Sequence, residues 1–243
     1  MNKLETLLKW INESNNIVFF GGAGVSTASG IKDFRSKDGL YHMKYKYPPE
    51  EILSHHFFIK NPEEFYKFYI DKLNCLDKEP NICHKYLTKL EKTGKLKAII
   101  TQNIDGLHEK AGSTNIYNLH GTIYKNECIK CHKKYKAEDI FNKNIIHCTC
   151  GGLIKPNVVL YEEPLDEEII TKTISSIQNA DLLLVVGTSL TVYPASSFIR
   201  YFQGKHLVII NNDTTPLDNL ADLIINDNIK EIFENLNKKL KEK

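Results

Sequence analysis

Short apolar runs alternate with amphipathic stretches along most of this 243-residue chain. The first stretch has helical spacing of its apolar residues, which predicts a helix over Leu4, Leu7, Leu8 and Ile11. The next run, Asn-Ile-Val-Phe-Phe at 16–20, is short and continuous, as expected of a strand that is buried on both faces. The same two patterns predict further strands at 97–101, 116–121, 181–187, 207–211 and 222–226, and helices at 81–94 and 165–179, after Asn61 and after Pro194.

This alternation predicts an α/β fold with a mainly parallel sheet and helices on both faces. Two stretches interrupt it, a polar and aromatic one at 37–60 and a cysteine-bearing one at 122–155. We predict that they belong to insertions that form a smaller domain. The predicted large domain comprises residues 1–36, 81–121 and 156–243, and the small domain comprises a helical insertion at 37–80 and the cysteine-bearing module at 122–155.

Composition narrows the class of protein. The chain is 42% hydrophobic and 26% charged, and its formal net charge is +2. So small a charge does not favour a nucleic-acid or membrane partner. No apolar run approaches the length of a membrane span, and the charges mixed into the first sixteen residues lead us to expect no secretory signal. We therefore expect a cytoplasmic monomer, a setting in which six cysteines suggest metal or catalytic roles over disulfides.

Four cysteines form two close pairs, one spaced C-x2-C and the other C-x-C, with residues 132–147 between them: Cys128, Cys131, Cys148 and Cys150. This pattern is typical of a zinc ribbon, in which four thiolates surround one structural Zn²⁺. The adjacent His132 and His147 are alternative ligands. The competing interpretations are a redox pair or surface thiols.

A glycine turn, Gly-Gly-Ala-Gly at 21–24, follows the first strand. Such a turn lets backbone amides approach a diphosphate closely, although the full G-x-G-x-x-G pattern is absent because position 27 is Thr. A tight turn without a ligand is the competing interpretation. Polar residues also follow three later strands, where ligands of parallel sheets bind: Gln102, Asn103, Asp105, His120, Thr188 and Ser189. Either local turns or a ligand would satisfy them.

These motifs together resemble the sirtuins, the NAD-dependent protein-lysine deacylases. The matching stretches occur in the family's order over about residues 16 to 230: GAGVSTASGIKDFR, TQNIDGLH, NLHG, the paired cysteines, KPNVV, VGTSLTVYPA and VIIN. The match is closest to bacterial and archaeal members. The resemblance implies a Rossmann-like, NAD-binding large domain and a small domain that contains the zinc-binding module. It also implies that NAD is consumed as a co-substrate and that an acetylated-lysine protein or peptide is the second substrate. The products would be nicotinamide, 2′-O-acetyl-ADP-ribose and free lysine.

The resemblance also implies roles for individual residues. His120 would be the general base, Asn103 would order the ribose, and Asp105 with the Ile104 backbone would hold the nicotinamide carboxamide. Phe34 would shield the reacting carbon. The remaining NAD contacts implied are Ala23, Thr27, Arg35, Gln102, Thr188, Ser189, Asn211, Asn212, Asn228 and Ile229. The peptide would lie along 156–163, with Val159 and Tyr161 as its contacts.

Two departures from the family pattern bear on specificity. Glu162 stands where the family usually has Gly before Glu163, which suggests a preference for basic residues beside the lysine. Tyr66 and Tyr69 stand where members that remove succinyl or malonyl groups carry Tyr and Arg, so we predict a preference for neutral acyl groups. The rival functions are mono-ADP-ribosyl transfer or NAD hydrolysis in the same pocket, a dehydrogenase, and a zinc-ribbon binding module.

Overall fold

The computed structural model describes residues 2–33 and 46–241. Its strands are β1 Ile17–Gly21, β2 Leu96–Thr101, β3 Ile116–Asn118, β4 Gly121–Cys128, β5 Lys134–Lys136, β6 Ile154–Val158, β7 Leu182–Val186, β8 His206–Ile210 and β9 Leu223–Ile225. Its α-helices are α1 Lys3–Glu13, α2 Pro49–Ile52, α3 His55–Lys60, α4 Pro62–Leu73, α5 Ile82–Lys92, α6 Leu107–Lys110, α7 Ala137–Phe141, α8 Glu167–Asn179 and α9 Ile229–Lys241. Within these residues no helix is long and apolar enough to cross a membrane.

The main sheet has six strands, all parallel, in the order β3-β2-β1-β7-β8-β9. Neighbouring side chains of β1 belong to apolar clusters on opposite faces: Phe19 packs with α1, α5 and α9, and Phe20 packs with α8. Both rings are fully buried, and burying a side chain of this size stabilises the fold by about 1.5–3 kcal/mol. The predicted parallel sheet with helices on both faces is confirmed.

A second sheet has three antiparallel strands in the order β5-β4-β6. Its apolar side chains share one buried cluster with helices α2 to α4, in which Ile123 and Ile154 pack with Phe58 and Phe65. The helical segment and the cysteine-bearing segment, which are distant in sequence, therefore share a single core. The boundaries of the two predicted domains stay a prediction.

Some local predictions differ from the structure. The helix expected after Pro194 is a 3₁₀ helix, Ala195–Tyr201. Serine side chains compete with helical backbone bonds, and here Ser197 Oγ donates a hydrogen bond of 2.6 Å to the Pro194 carbonyl. Helices α6 and α7, at most five residues long, were not predicted because so short a stretch shows no periodicity.

Candidate active site

The crevice of the main sheet lies where the strand order reverses. From β1 the chain builds the sheet toward β3, and from β7 it builds toward β9. Ligands of parallel sheets bind outside the carboxyl ends of the strands at such a point. The loops that follow β1 and β7 meet there, and the Gly24 amide donates to the Gly187 carbonyl over 2.8 Å. A Cβ on Gly22 would lie 2.7 Å from the Gly187 carbonyl oxygen, so this approach requires glycine.

Asp105 is buried beside the glycine turn. Its two carboxylate oxygens accept hydrogen bonds from Ser26 Oγ over 2.6 Å and from the Leu107 amide over 2.9 Å. Burial raises the pKa of Asp105, and these two hydrogen bonds partly offset that rise. Asn103 Nδ2 donates to Ser26 Oγ and to the Gly22 carbonyl, each over 3.1 Å. Hydrogen bonds within the protein thus hold both side chains against the glycine turn.

His120 lies between β3 and β4, beside the same strand ends. Its Nδ1 is 2.9 Å from the Gln102 carbonyl oxygen. Because a carbonyl only accepts, Nδ1 carries the proton and Nε2 has the free lone pair in the neutral ring. Burial lowers the pKa of His120, and the hydrogen bond to Gln102 opposes that shift. The imidazole is therefore neutral at pH 7 and able to accept a proton through Nε2.

A cavity of about 230 Å³ extends from the glycine turn to the start of α9. Four residues of the predicted NAD contacts line it, Thr27, Asn212, Asn228 and Ile229, and so do Asn81, Cys83 and Lys230, which the sequence analysis did not assign. Asn81 holds the glycine turn in place, because its Nδ2 donates to the Val25 carbonyl over 2.8 Å and to Ser29 Oγ over 3.0 Å. The sequence marked Asn81 only as a helix start, since its partners are far away along the chain.

The other predicted NAD contacts, apart from Phe34 and Arg35, lie at the ends of strands of the main sheet or in the loops that follow them. Gln102 Nε2 donates to Thr188 Oγ1 over 3.0 Å, which joins the ends of β2 and β7. Ser189 Oγ is 2.8 Å from Thr191 Oγ1, and Asn211 Nδ2 donates to the Asp213 carbonyl at the end of β8. Ala23 begins a 3₁₀ turn directly after Gly22, and the Ile104 carbonyl accepts from the Ile123 amide. Phe34 and Arg35 lie outside the described residues.

The predicted peptide edge runs from β6 to Glu163. The Val159 amide donates to the His120 carbonyl and the Tyr161 amide to the Leu53 carbonyl, each over 3.0 Å. Both acidic residues of this edge have partners. Glu162 accepts from the His56 amide over 2.9 Å, and Glu163 contacts His55 and Lys155.

The four paired cysteines converge in space. Their Sγ atoms all lie within 4.8 Å of one another, and the pairs Cys128–Cys150 and Cys131–Cys148 are each 3.5 Å apart. A zinc ion bound tetrahedrally at about 2.3 Å from each sulfur would separate the sulfurs by about 3.8 Å, so this set fits the metal. The neighbouring histidines are directed to carboxylates instead, His132 to Glu127 and His147 to Glu63.

Comparison with known proteins decides the family. The Sir2 family model matches residues 22–194. The chain belongs to the Sir2 family. A relative from Clostridium acetobutylicum, named NAD-dependent protein deacetylase, is 52% identical over 239 residues, 96% of this chain and 98% of the relative. One from Clostridium perfringens with the same name is 53% identical and covers 96% of both chains.

Solved Sir2 structures superpose closely on this member of the family. A Sir2 complex with p53 peptide and NAD⁺ is 36% identical, covers all of both chains and has a TM-score of 0.88. A Sir2 variant with deacetylated p53 peptide and 3′-O-acetyl-ADP-ribose is 38% identical, covers 98% of both chains and has a TM-score of 0.90. The predicted sirtuin family, the NAD-dependent protein deacetylase class and the zinc-binding cysteine cluster are confirmed. The roles of individual site residues stay predictions.

Proposed function

We propose that this enzyme deacetylates protein lysines by transferring the acetyl group to the ADP-ribose part of NAD, with release of nicotinamide. One observation carries the assignment of residues. A neutral, buried imidazole at His120 lies beside the strand ends that hold Asn103 and Asp105, at the switch point of a parallel sheet. The amide oxygen of the acetyl-lysine would attack the ribose carbon of NAD as nicotinamide leaves, and positioning by the protein would supply much of the rate enhancement. One water molecule would be consumed, so that acetyl-lysine, NAD and water give lysine, nicotinamide and O-acetyl-ADP-ribose.

His120 is proposed as the general base. Its Nε2 would accept the proton of a ribose hydroxyl, which then attacks the carbon of the transferred acyl group. The Nδ1–H bond to the Gln102 carbonyl would orient the ring and stabilise the imidazolium that forms. His120 then returns the proton as the lysine amine is released.

Asp105 and Asn103 are proposed to bind the nicotinamide end. The hydrogen bonds from Ser26 and the Leu107 amide hold the Asp105 carboxyl group, which would fix a carboxamide against the Ile104 backbone. Phe34 and Arg35 are proposed to cover the ribose and diphosphate. The 230 Å³ cavity beside Asn212 and Asn228 would take the adenosine end.

The zinc site is proposed to be structural. Four thiolates complete a tetrahedral zinc site and leave no position for a substrate. Along the chain, the cysteine-bearing module connects two parts of the proposed site, because His120 directly precedes β4 and Val159 directly follows β6. A closed zinc site would therefore fix the peptide edge relative to the base.

The peptide is proposed to bind along Val159 and Tyr161, with the Val159 carbonyl accepting the lysine side-chain N–H. Neutral acyl groups would be preferred. Tyr69, at the position of the Arg in members that remove succinyl or malonyl groups, is buried and stacks against Phe65 and Phe141 with ring centroids 5.5 and 5.3 Å away. This apolar setting supports the proposal, because an acyl carboxylate would lack its counter-ion. Faster removal of succinyl than of acetyl groups by the purified protein would refute it.

The decisive experiment is mass spectrometry of the products formed from NAD and an acetyl-lysine peptide. The wild type should yield nicotinamide, free lysine peptide and O-acetyl-ADP-ribose in equal amounts. His120→Ala should reduce their formation about 10²–10⁴-fold, the usual contribution of a general base. His206→Ala, at the opposite end of strand β8 from the crevice, is the matched control and should retain activity.

Nicotinamide release in the absence of peptide would instead indicate NAD hydrolysis. Transfer of ADP-ribose to the peptide, with the acetyl group retained, would indicate ADP-ribosyl transfer. Either result would overturn the proposed reaction.

A further inference from the structure

The N-terminus of helix α3 is closed by residues from a distant segment. The first amides of a helix have no intrahelical acceptor. Here the His55 amide donates to the Tyr161 carbonyl over 3.0 Å and the His56 amide to Glu162 Oε2 over 2.9 Å. The Phe57 amide donates to Ser54 Oγ over 3.1 Å. Two of the three acceptors thus come from the predicted peptide edge.

Glu162 adopts an unusual backbone conformation to make this contact. Its φ is +76°, in the left-handed region that a residue with a Cβ rarely enters. Glycine would adopt the same turn without steric strain, but it would lack the carboxylate that caps α3. The turn itself does not require a side chain at this position, so the carboxylate has a separate role as the cap of α3.

The same segment is fixed at its other end by the proposed base. The Val159 amide donates to the His120 carbonyl, and two residues later the Tyr161 amide donates to the Leu53 carbonyl. The Val159 carbonyl, proposed to bind the substrate lysine, lies in the short span between these anchors. A shift of the α3 anchor would move that carbonyl relative to His120.

We propose that Glu162 is a positioning residue for the peptide substrate, and that its carboxylate anchors the peptide edge to α3. This inference rests on the proposed function, because it assumes that the peptide lies along Val159 and Tyr161. Glu162 acts through the edge and does not contact the reacting atoms. Its loss should weaken peptide binding and leave NAD binding intact, since the nucleotide crevice lies on the main sheet.

Steady-state kinetics of three substitutions test this role. Glu162→Ala should raise the KM for an acetyl-lysine peptide about five-fold, as expected for loss of one hydrogen bond, with kcat and the KM for NAD within about two-fold of wild type. Glu162→Gly should raise the peptide KM equally, although it relieves the strain. Glu162→Gln keeps an acceptor for the His56 amide and should restore the KM. Glu13→Ala, on α1, is the control for loss of a surface carboxylate.

The outcomes separate the possible causes. A Gly variant with the wild-type KM would mean that only the backbone conformation matters, and a Gln variant as impaired as Ala would exclude the hydrogen bond; either overturns the inference. Amide hydrogen exchange at His55 and His56 gives a readout without turnover and should be faster in Glu162→Ala than in Glu162→Gln. If the wild type does not deacetylate, the proposed function fails, and with it the positioning of substrate. If it does and all variants match it, only the positioning role fails.

Discussion

The nucleotide crevice and the peptide edge are held in place by different kinds of interaction. At the crevice, backbone atoms of two loops touch through Gly22 and Gly187, and buried hydrogen bonds join Ser26, Asn103 and Asp105. At the predicted peptide edge, Val158 and Leu160 are buried in the shared apolar core, and exposed hydrogen bonds to α3 and the four-cysteine cluster add to that packing. Buried contacts therefore hold the crevice, whereas the predicted peptide edge depends on separable surface contacts as well as on packing.

Removal of zinc should have the largest effect, and it should affect the cysteine-bearing module and leave the crevice intact. Structural zinc sites contribute on the order of 10 kcal/mol to the folding of small modules. Chelation should abolish deacetylation and speed amide exchange across residues 121–158, while strands β7 and β8 stay protected. Exchange measured by mass spectrometry checks this, and re-addition of zinc should reverse it. Equal loss of protection in both regions would show that the two sides are not independent.

An alanine in the glycine turn should weaken the crevice and leave the predicted peptide edge largely unaffected. A Cβ on Gly22 would lie 2.7 Å from the Gly187 carbonyl oxygen and 2.7 Å from Thr188 Cβ, closer than such atoms approach in folded proteins. We expect Gly22→Ala to cost about 2–4 kcal/mol and to raise the KM for NAD far more than that for the peptide. Gly30 is the matched control, because a Cβ there meets no atom of the described residues within 4 Å and the substitution incurs the strain of its φ of +79°, about 1 kcal/mol. Equal effects at Gly22 and Gly30 would contradict this explanation.

Two buried histidines, His84 on α5 and His108 on α6, should make stability depend on pH. The rings of His84 and His108 lie 4.7 Å apart, and neither ring nitrogen of His108 has a hydrogen-bond partner among the described residues. Burial lowers the pKa of His84 to about 4 and that of His108 well below its usual value, the latter helped by the neighbouring His84. The unfolded chain therefore binds more protons below pH 6.5, and stability falls as the pH is lowered from 6.5 toward 4.

For His84 the loss at pH 4 approaches about 3 kcal/mol. Urea unfolding at pH 7, 6 and 5 measures the slope. A double variant, His84→Gln with His108→Gln, should flatten this part of the curve relative to wild type. An unchanged slope would show that the pair does not titrate in this range.

The charge of the peptide residues that flank the substrate lysine should have the smallest effect on kcat/KM. The acidic residues Glu162 and Glu163 suggest a preference for basic flanks, but both carboxylates already have partners in the protein. Exposed ion pairs contribute only about 0–1 kcal/mol. We expect peptides with basic flanks to exceed those with acidic flanks by no more than about three-fold in kcat/KM. Equal values at low salt would remove this preference.

The sequence predicted the parts of the molecule that depend on local patterns. Continuous apolar runs identified strands such as β1, and the spacing of Cys128, Cys131, Cys148 and Cys150 identified the metal cluster, because each pattern is complete within a short segment. The contacts between residues far apart along the chain could not be predicted from the sequence. Asn81 bonds to the glycine turn and Glu162 to α3 across more than fifty residues. Only folding brings such partners together, and no spacing rule encodes them.

The reversal of strand order also has a consequence for synthesis on the ribosome. Strand β1 pairs with β2 on one side, but its other edge pairs with β7, which begins only at Leu182. One edge of the apolar strand β1 therefore stays unpaired until β7 has been synthesised, three-quarters of the way along this 243-residue chain. Pairing between segments so far apart is slow and exposes the nascent chain to aggregation. Translation speed and chaperone access before residue 186 emerges should therefore govern the yield of this protein in cells.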